Sequence, residues 1–181
     1  MFTDSTQSSD GDIKAFRCSF LDFIDDPFYI PESESVRYIA DGLLVLEEGK
    51  VKELGNYENL KDKYSNIYII SYPDMLIMPG FIDTHIHFPQ LEIIAAYGEQ
   101  LLEWLNKYTF PTEKKFKDKT YAQKVAAIFL DELLKNGTTT ALVFAAVYPE
   151  SVDAFFEQAS DRNIRAIAGK VMMDRNAPDF L

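Results

Sequence analysis

Cysteine is nearly missing from this 181-residue chain, where Cys18 is the only one. A lone thiol cannot make an internal disulfide, so no covalent cross-link is available to the fold. Basic residues are also in deficit, 18 against 29 acidic ones, which gives a formal net charge of −11 and a pI near 4.6. That balance argues against nucleic acid and against an anionic membrane surface, since both select basic patches. An uncharged small molecule suits such a protein better as a ligand. No apolar run approaches the roughly 20 residues of a membrane span, and the opening MFTDSTQSSDGD lacks the basic start and apolar core of a secretory signal. A reducing, cytoplasmic setting is the expectation. What the chain does have is apolar and aromatic content, 47% and 14%, the composition of a packed globular protein.

Histidine is scarce as well, and its two copies are not scattered: His85 and His87 both fall in LIMPGFIDTHIH, from Leu76 to His87. Alternate residues of a strand share a face, so Asp83, His85 and His87 are expected on one side and Thr84 and Ile86 on the other. Two imidazoles at that spacing can reach one ion. The plainer alternative is a pair of strand histidines on a solvated face, which the apolar run upstream disfavours.

Residues 1 to about 12 are rich in Ser, Asp and Thr and read as a mobile start. Strand patterns follow over Ala15–Phe23, Val36–Ala40, Gly42–Leu46, Val51–Leu54 and Ile67–Ser71, with a hairpin turn at Glu48-Gly49 and a short helix over Asn56–Tyr64 capped by Asn56. After Pro73 strands and helices alternate, the mark of parallel β/α construction: a strand over Met75–His87, helices over Gln100–Lys107 and Tyr121–Lys135, a strand over Thr139–Ala146, a helix over Ser151–Ser160 and a strand over Ile164–Met172. The fold class is therefore α/β, divided into residues 1–72, a small sheet domain, and 73–181, three strands with right-handed crossovers.

Pro79 to His87 resembles the first-strand motif of the amidohydrolase superfamily. Phe88-Pro89-Gln90, YGEQLLEWLNKYTFPTE from Tyr97, NGTTTALVF from Asn136 and GKVMMDRNAPD from Gly169 resemble, more particularly, the guanine deaminases, and the bacterial ones above all. The resemblance implies a (β/α)8 barrel of a metal-dependent hydrolase, of which about three strands are here, preceded by a partial β-sandwich domain. A whole barrel takes about 250 residues, so the chain is expected to be an N-terminal fragment. It further implies hydrolysis of guanine to xanthine and ammonia in guanine catabolism, Zn2+ as cofactor, a homodimer for the full-length family, and His85 and His87 as metal ligands.

By the same resemblance Gln90 holds the base, with His87, Phe88 and Pro89 lining the pocket and Leu101 and Trp104 approaching it. An amide suits that task, since it both donates and accepts, although a solvated loop glutamine is the default for such a residue. Asp83 has two readings, orienting an imidazole or serving a structural role. Lys170, Asp174 and Arg175 follow the third strand, where such enzymes place functional groups, without a role that residue type assigns. The chain departs from the resemblance at Tyr148, where bacterial relatives usually have a histidine. The Arg-Phe pair that reads the base, the catalytic glutamate and the remaining ligands are expected beyond Leu181, which makes the chain inactive alone. One cysteine excludes the cytidine-deaminase type of guanine deaminase, with its PCxxC site. The rival readings are another amidohydrolase deaminase and a noncatalytic truncated or split-gene product.

Overall fold

The computed structural model describes residues 13–173, 175 and 177–181. The start read as mobile and Asp174 lie outside the described residues. Two compact units divide the chain, Met1–Pro79 and Gly80–Leu181. Among the described residues no helix is long and apolar enough to cross a membrane.

The first unit comprises β1 (Ile13–Phe23), the one-turn helix α1 (Glu32–Ser35), β2 (Val36–Glu47), β3 (Lys50–Asn56), the one-turn helix α2 (Tyr57–Leu60) and β4 (Ile69–Ile77). They form a four-stranded sheet in the order β3-β2-β1-β4, with β4 parallel to β1 and the other pairs antiparallel. Glu48 and Gly49 make the hairpin turn with φ of 51° and 76°, the left-handed pair that a two-residue connection requires. The two strands expected on either side of Asp41 are one strand. Asp41-Gly42 has turn character, but Arg17 grips the Asp41 carboxylate with two bonds of 2.7 and 2.6 Å, and a Cβ on Gly42 would lie 2.5 Å from the Phe20 ring. Here the glycine serves close packing. Ala15, Leu43, Val45, Leu60 and Tyr64 make one core cluster, and Cys18, Phe20 and Ile39 another.

The boundary lies seven residues past the expected 72/73. Leu76 and Ile77 stay in register with Ser19 and Phe20 of β1, so Met75–Ile77 complete β4. The strand read as Met75–His87 is thus two, because Pro79 has no N–H with which to continue a ladder.

In the second unit β5 (Phe81–His87), β6 (Thr138–Phe144) and β7 (Arg165–Gly169) form a parallel sheet in that order. A 3₁₀ segment (Phe88–Ile93) follows β5 and precedes α3 (Leu101–Trp104), a π turn (Leu105–Thr109), α4 (Phe110–Glu113), a second 3₁₀ segment (Lys114–Lys117) and α5 (Lys119–Lys135). Helix α6 (Pro149–Asp161) joins β6 to β7. Asp118 caps α5 by accepting the amides of Thr120 and Tyr121 at 2.8 and 3.3 Å. Ser151, fully buried, donates to the Tyr148 carbonyl at 2.6 Å and accepts from the Ala146 amide at 3.2 Å, tying the chain beyond β6 to the first turn of α6.

Ala141 and Val143 of β6 face a core built on Phe88, Phe116, Phe129, Leu130 and Phe155. Leu142 alternates to the other side and pairs in register with Ile167 of β7. Both are exposed, so that face of the sheet is bare among the described residues. Gly80 enters this unit against Thr139, whose Oγ1 would lie 2.2 Å from any Cβ. Glycine is needed there for approach.

Candidate functional site

His85 and His87 meet at the C-terminal end of β5 with ring centroids 5.3 Å apart. Phe144, the register partner of His87 on β6, lies against both, its ring centroid 4.9 Å from that of His85 and 4.7 Å from that of His87. Nδ1 of His87 is buried and has no hydrogen-bond partner among the described residues. Burial, and then the neighbouring His85, push the pKa of His87 down. A neutral imidazole with an unspent buried nitrogen is the form in which histidine binds a metal. The pair therefore fits a metal in ligand type, while no cluster of three or more His, Cys, Asp or Glu able to hold one occurs among the described residues.

Asp83 does not join the pair. Asp83 stands opposite Ala141 and Ile86 opposite Val143, so three steps on β5 match two on β6. That extra residue breaks the strict alternation from which a shared face was expected. The Asp83 carboxylate instead accepts the backbone amide of His85 at 2.9 Å, a structural role that fixes the irregular strand.

A hollow of about 570 Å³ opens beside His87 and Gln90, with Asn106, Thr109, Glu113 and Arg175 on its wall. A second, of about 410 Å³, takes in His85, His87, Gln90 and Trp104. Gln90 thus lines both, and Trp104 one, its indole N–H donating to the Ala96 carbonyl at 3.0 Å. The other expected pocket residues go elsewhere. Phe88 packs edge-on to Phe116 at 5.2 Å in the core, Pro89 is fully buried, and Leu101, at the start of α3, is 69% exposed. These three line neither hollow. Nor do Lys170 and Tyr148, the latter using its hydroxyl to donate to the Phe180 carbonyl at 3.1 Å. Arg175, unassigned from sequence, does reach the larger hollow.

Sequence reasoning assigned no role to Glu113, Thr109 or Asn106. Glu113 is 4% exposed, and its Oε1 accepts from Gln90 Nε2 at 3.4 Å. Burial pushes its pKa up, and the Gln90 bond opposes that. Thr109 carries a buried hydroxyl without a partner among the described residues. The signal available was the stretch Tyr97 to Glu113, which ends on a glutamate two residues past a proline; nothing in its spacing says that the glutamate turns inward.

Residues 76–180 match the model of the amidohydrolase family, and the chain belongs to that family. Within it, the chain is similar to the guanine deaminase of Escherichia coli, 55% identical over 178 residues that span 96% of this chain and 40% of the relative. The solved structure of E. coli guanine deaminase superposes with a TM-score of 0.86 at 56% identity, over 93% of this chain and 39% of that one. That of guanine deaminase from C. acetobutylicum with bound guanine does so at 0.79 and 34% identity, over 94% and 39%. A probable guanine deaminase of Deinococcus radiodurans is 36% identical over 168 residues, 90% of this chain and 38% of the relative. The chain spans about two fifths of the length of these relatives. The resemblance read from its motifs is borne out.

Proposed function

We propose that this chain forms the first part of a zinc-dependent amidohydrolase that converts guanine to xanthine and ammonia. The observation that carries the reading is the adjacency of two imidazoles, one with a buried unpaired nitrogen, to a hollow in which Gln90 offers an amide. The similarity to guanine deaminases supplies the substrate. His85 and His87 would hold the ion, and when bound it would make water acidic enough to supply a nucleophile near neutral pH. Gln90 would bind an edge of the base, while Phe144 sets the two imidazole planes and Trp104 closes the second hollow. The three parallel strands are read as the first of a (β/α)8 barrel and the four-stranded sheet as part of a sandwich domain. The remaining ligands and the proton-shuttling glutamate are placed beyond Leu181, and the whole protein is read as a cytoplasmic homodimer.

The test joins residues 1–181 to the part of E. coli guanine deaminase that they do not match and follows xanthine formation. Turnover of guanine, lost on His85→Ala or His87→Ala, is the expected result. A folded, zinc-loaded chimera that ignores guanine but hydrolyses another ring amine would overturn the substrate assignment.

A further inference from the structure

We infer that Glu113 is the positioning residue that sets which end of the Gln90 amide faces the larger hollow, and with it the hydrogen-bonding sense of the ligand edge received there. The inference rests on the reading of Gln90 as a base-binding residue and goes beyond it. A side-chain amide has a donor end and an acceptor end of nearly equal shape, so packing alone leaves it free to turn over. An ionised carboxylate only accepts. With Gln90 Nε2 directed at Glu113 Oε1 over 3.4 Å, the amide nitrogen is committed and the amide oxygen is the end left for a ligand. The site then selects a ring N–H or an amino group at that position and refuses a bare ring nitrogen.

Glu113 is built for the task. At 4% exposure, in a short helix where Phe110 and Thr112 are buried with it, its carboxylate cannot swing out to water. Among the described residues Gln90 is its one hydrogen-bond partner and no cation pairs with it. A buried carboxylate without a counter-ion costs stability, which is the reverse of what a purely structural residue contributes. Asn106, Thr109 and Arg175 share the hollow, so the polar wall facing a ligand is continuous with the pair.

Two measurements test this. In the first, the Gln90 side-chain NH2 resonances of residues 1–181 are compared with those of Glu113→Gln, a near-isosteric change that presents both a donor and an acceptor. The carboxylate-bound proton is expected downfield in the wild type and shifted upfield in the variant; identical resonances overturn the inference. In the second, the chimera described above carries Glu113→Gln. The KM for guanine should rise several-fold, up to about tenfold, with kcat changed less and thermal stability undiminished. An unchanged KM, or a joint loss of kcat and thermal stability, would mark Glu113 as structural only. A chimera that ignores guanine while the resonance shift is present defeats the substrate reading and leaves the orientation intact; deamination without the shift does the opposite.

Discussion

Gln90 lies on the wall of both hollows, and under the proposed function it is the side chain that tells a base from other rings. Gln90→Ala strips the pairing from a buried polar edge of the ligand, worth roughly 1 to 3 kcal/mol. The chimera should therefore lose about tenfold or more in kcat/KM on guanine, and unchanged steady-state kinetics would remove the residue from the site. Glu113 makes a separate prediction through pH. Its folded pKa is raised by burial above the ordinary 4.5, so the folded chain binds that proton more tightly than the unfolded chain does. Stability from this group is fully present below the ordinary value and is lost as pH rises through the folded one. Glu113→Gln should abolish that component, visible as a wild-type melting temperature that falls relative to the variant's with rising pH. Equal profiles would mean that burial costs the carboxylate nothing. At this scale the two histidines were legible because their spacing survives in the strand. Asp83 was not, since a one-residue irregularity in β5 has no mark in the sequence, and Glu113 was not, since a charged side chain reads as solvated until its surroundings are known.

The irregular stretch between α3 and α4 shows how an element carries residues to the site. Pro111 has no N–H and its ring collides with a carbonyl four residues back, so a regular helix cannot run through it. The chain widens instead: the Phe110 amide bonds the Leu105 carbonyl, five residues back. Such π turns recur at functional sites, and this one ends on Thr109, which shares one wall with Phe110 and Glu113 of the helix that follows. The helix expected over Gln100–Lys107 was right in kind at its start. Its extension was illegible because a period of 3.6 does not describe a turn of wider pitch. Helices α5 and α6 were legible from the alternation of strand and helix patterns, and the start of α5 fell two residues early because Asp118 sets it. Asp118→Ala removes an acceptor from two amides and should cost about 0.5 to 2 kcal/mol, measurable as a lower denaturant midpoint at constant slope. Ser151→Ala, which unpairs the Ala146 amide, should cost about 1 to 3 kcal/mol and is checked in the same way.

For the molecule as a whole, two imidazoles are a thin hold on an ion. Losing a residue that merely supports a ligand already weakens metal binding about 10 to 100-fold, so residues 1–181 alone should bind zinc poorly and leave guanine untouched. Stoichiometric zinc that survives dialysis against a mild chelator would contradict this. The division into two units was legible in the change from strand-rich to alternating pattern, and the exact break was not, since whether Met75–Ile77 pair with β1 depends on partners distant in sequence. One further consequence follows from the bare face that carries Leu142 and Ile167. In a protein of the relatives' length, of which this chain matches about 40%, the ribosome would complete these strands long before whatever packs against them. At roughly 5 to 20 residues per second, the wait is on the order of tens of seconds. Throughout it a nascent sheet stands with an oily side to water, so the yield of folded protein should depend on chaperone supply and on translation speed rather than on the final stability of the fold.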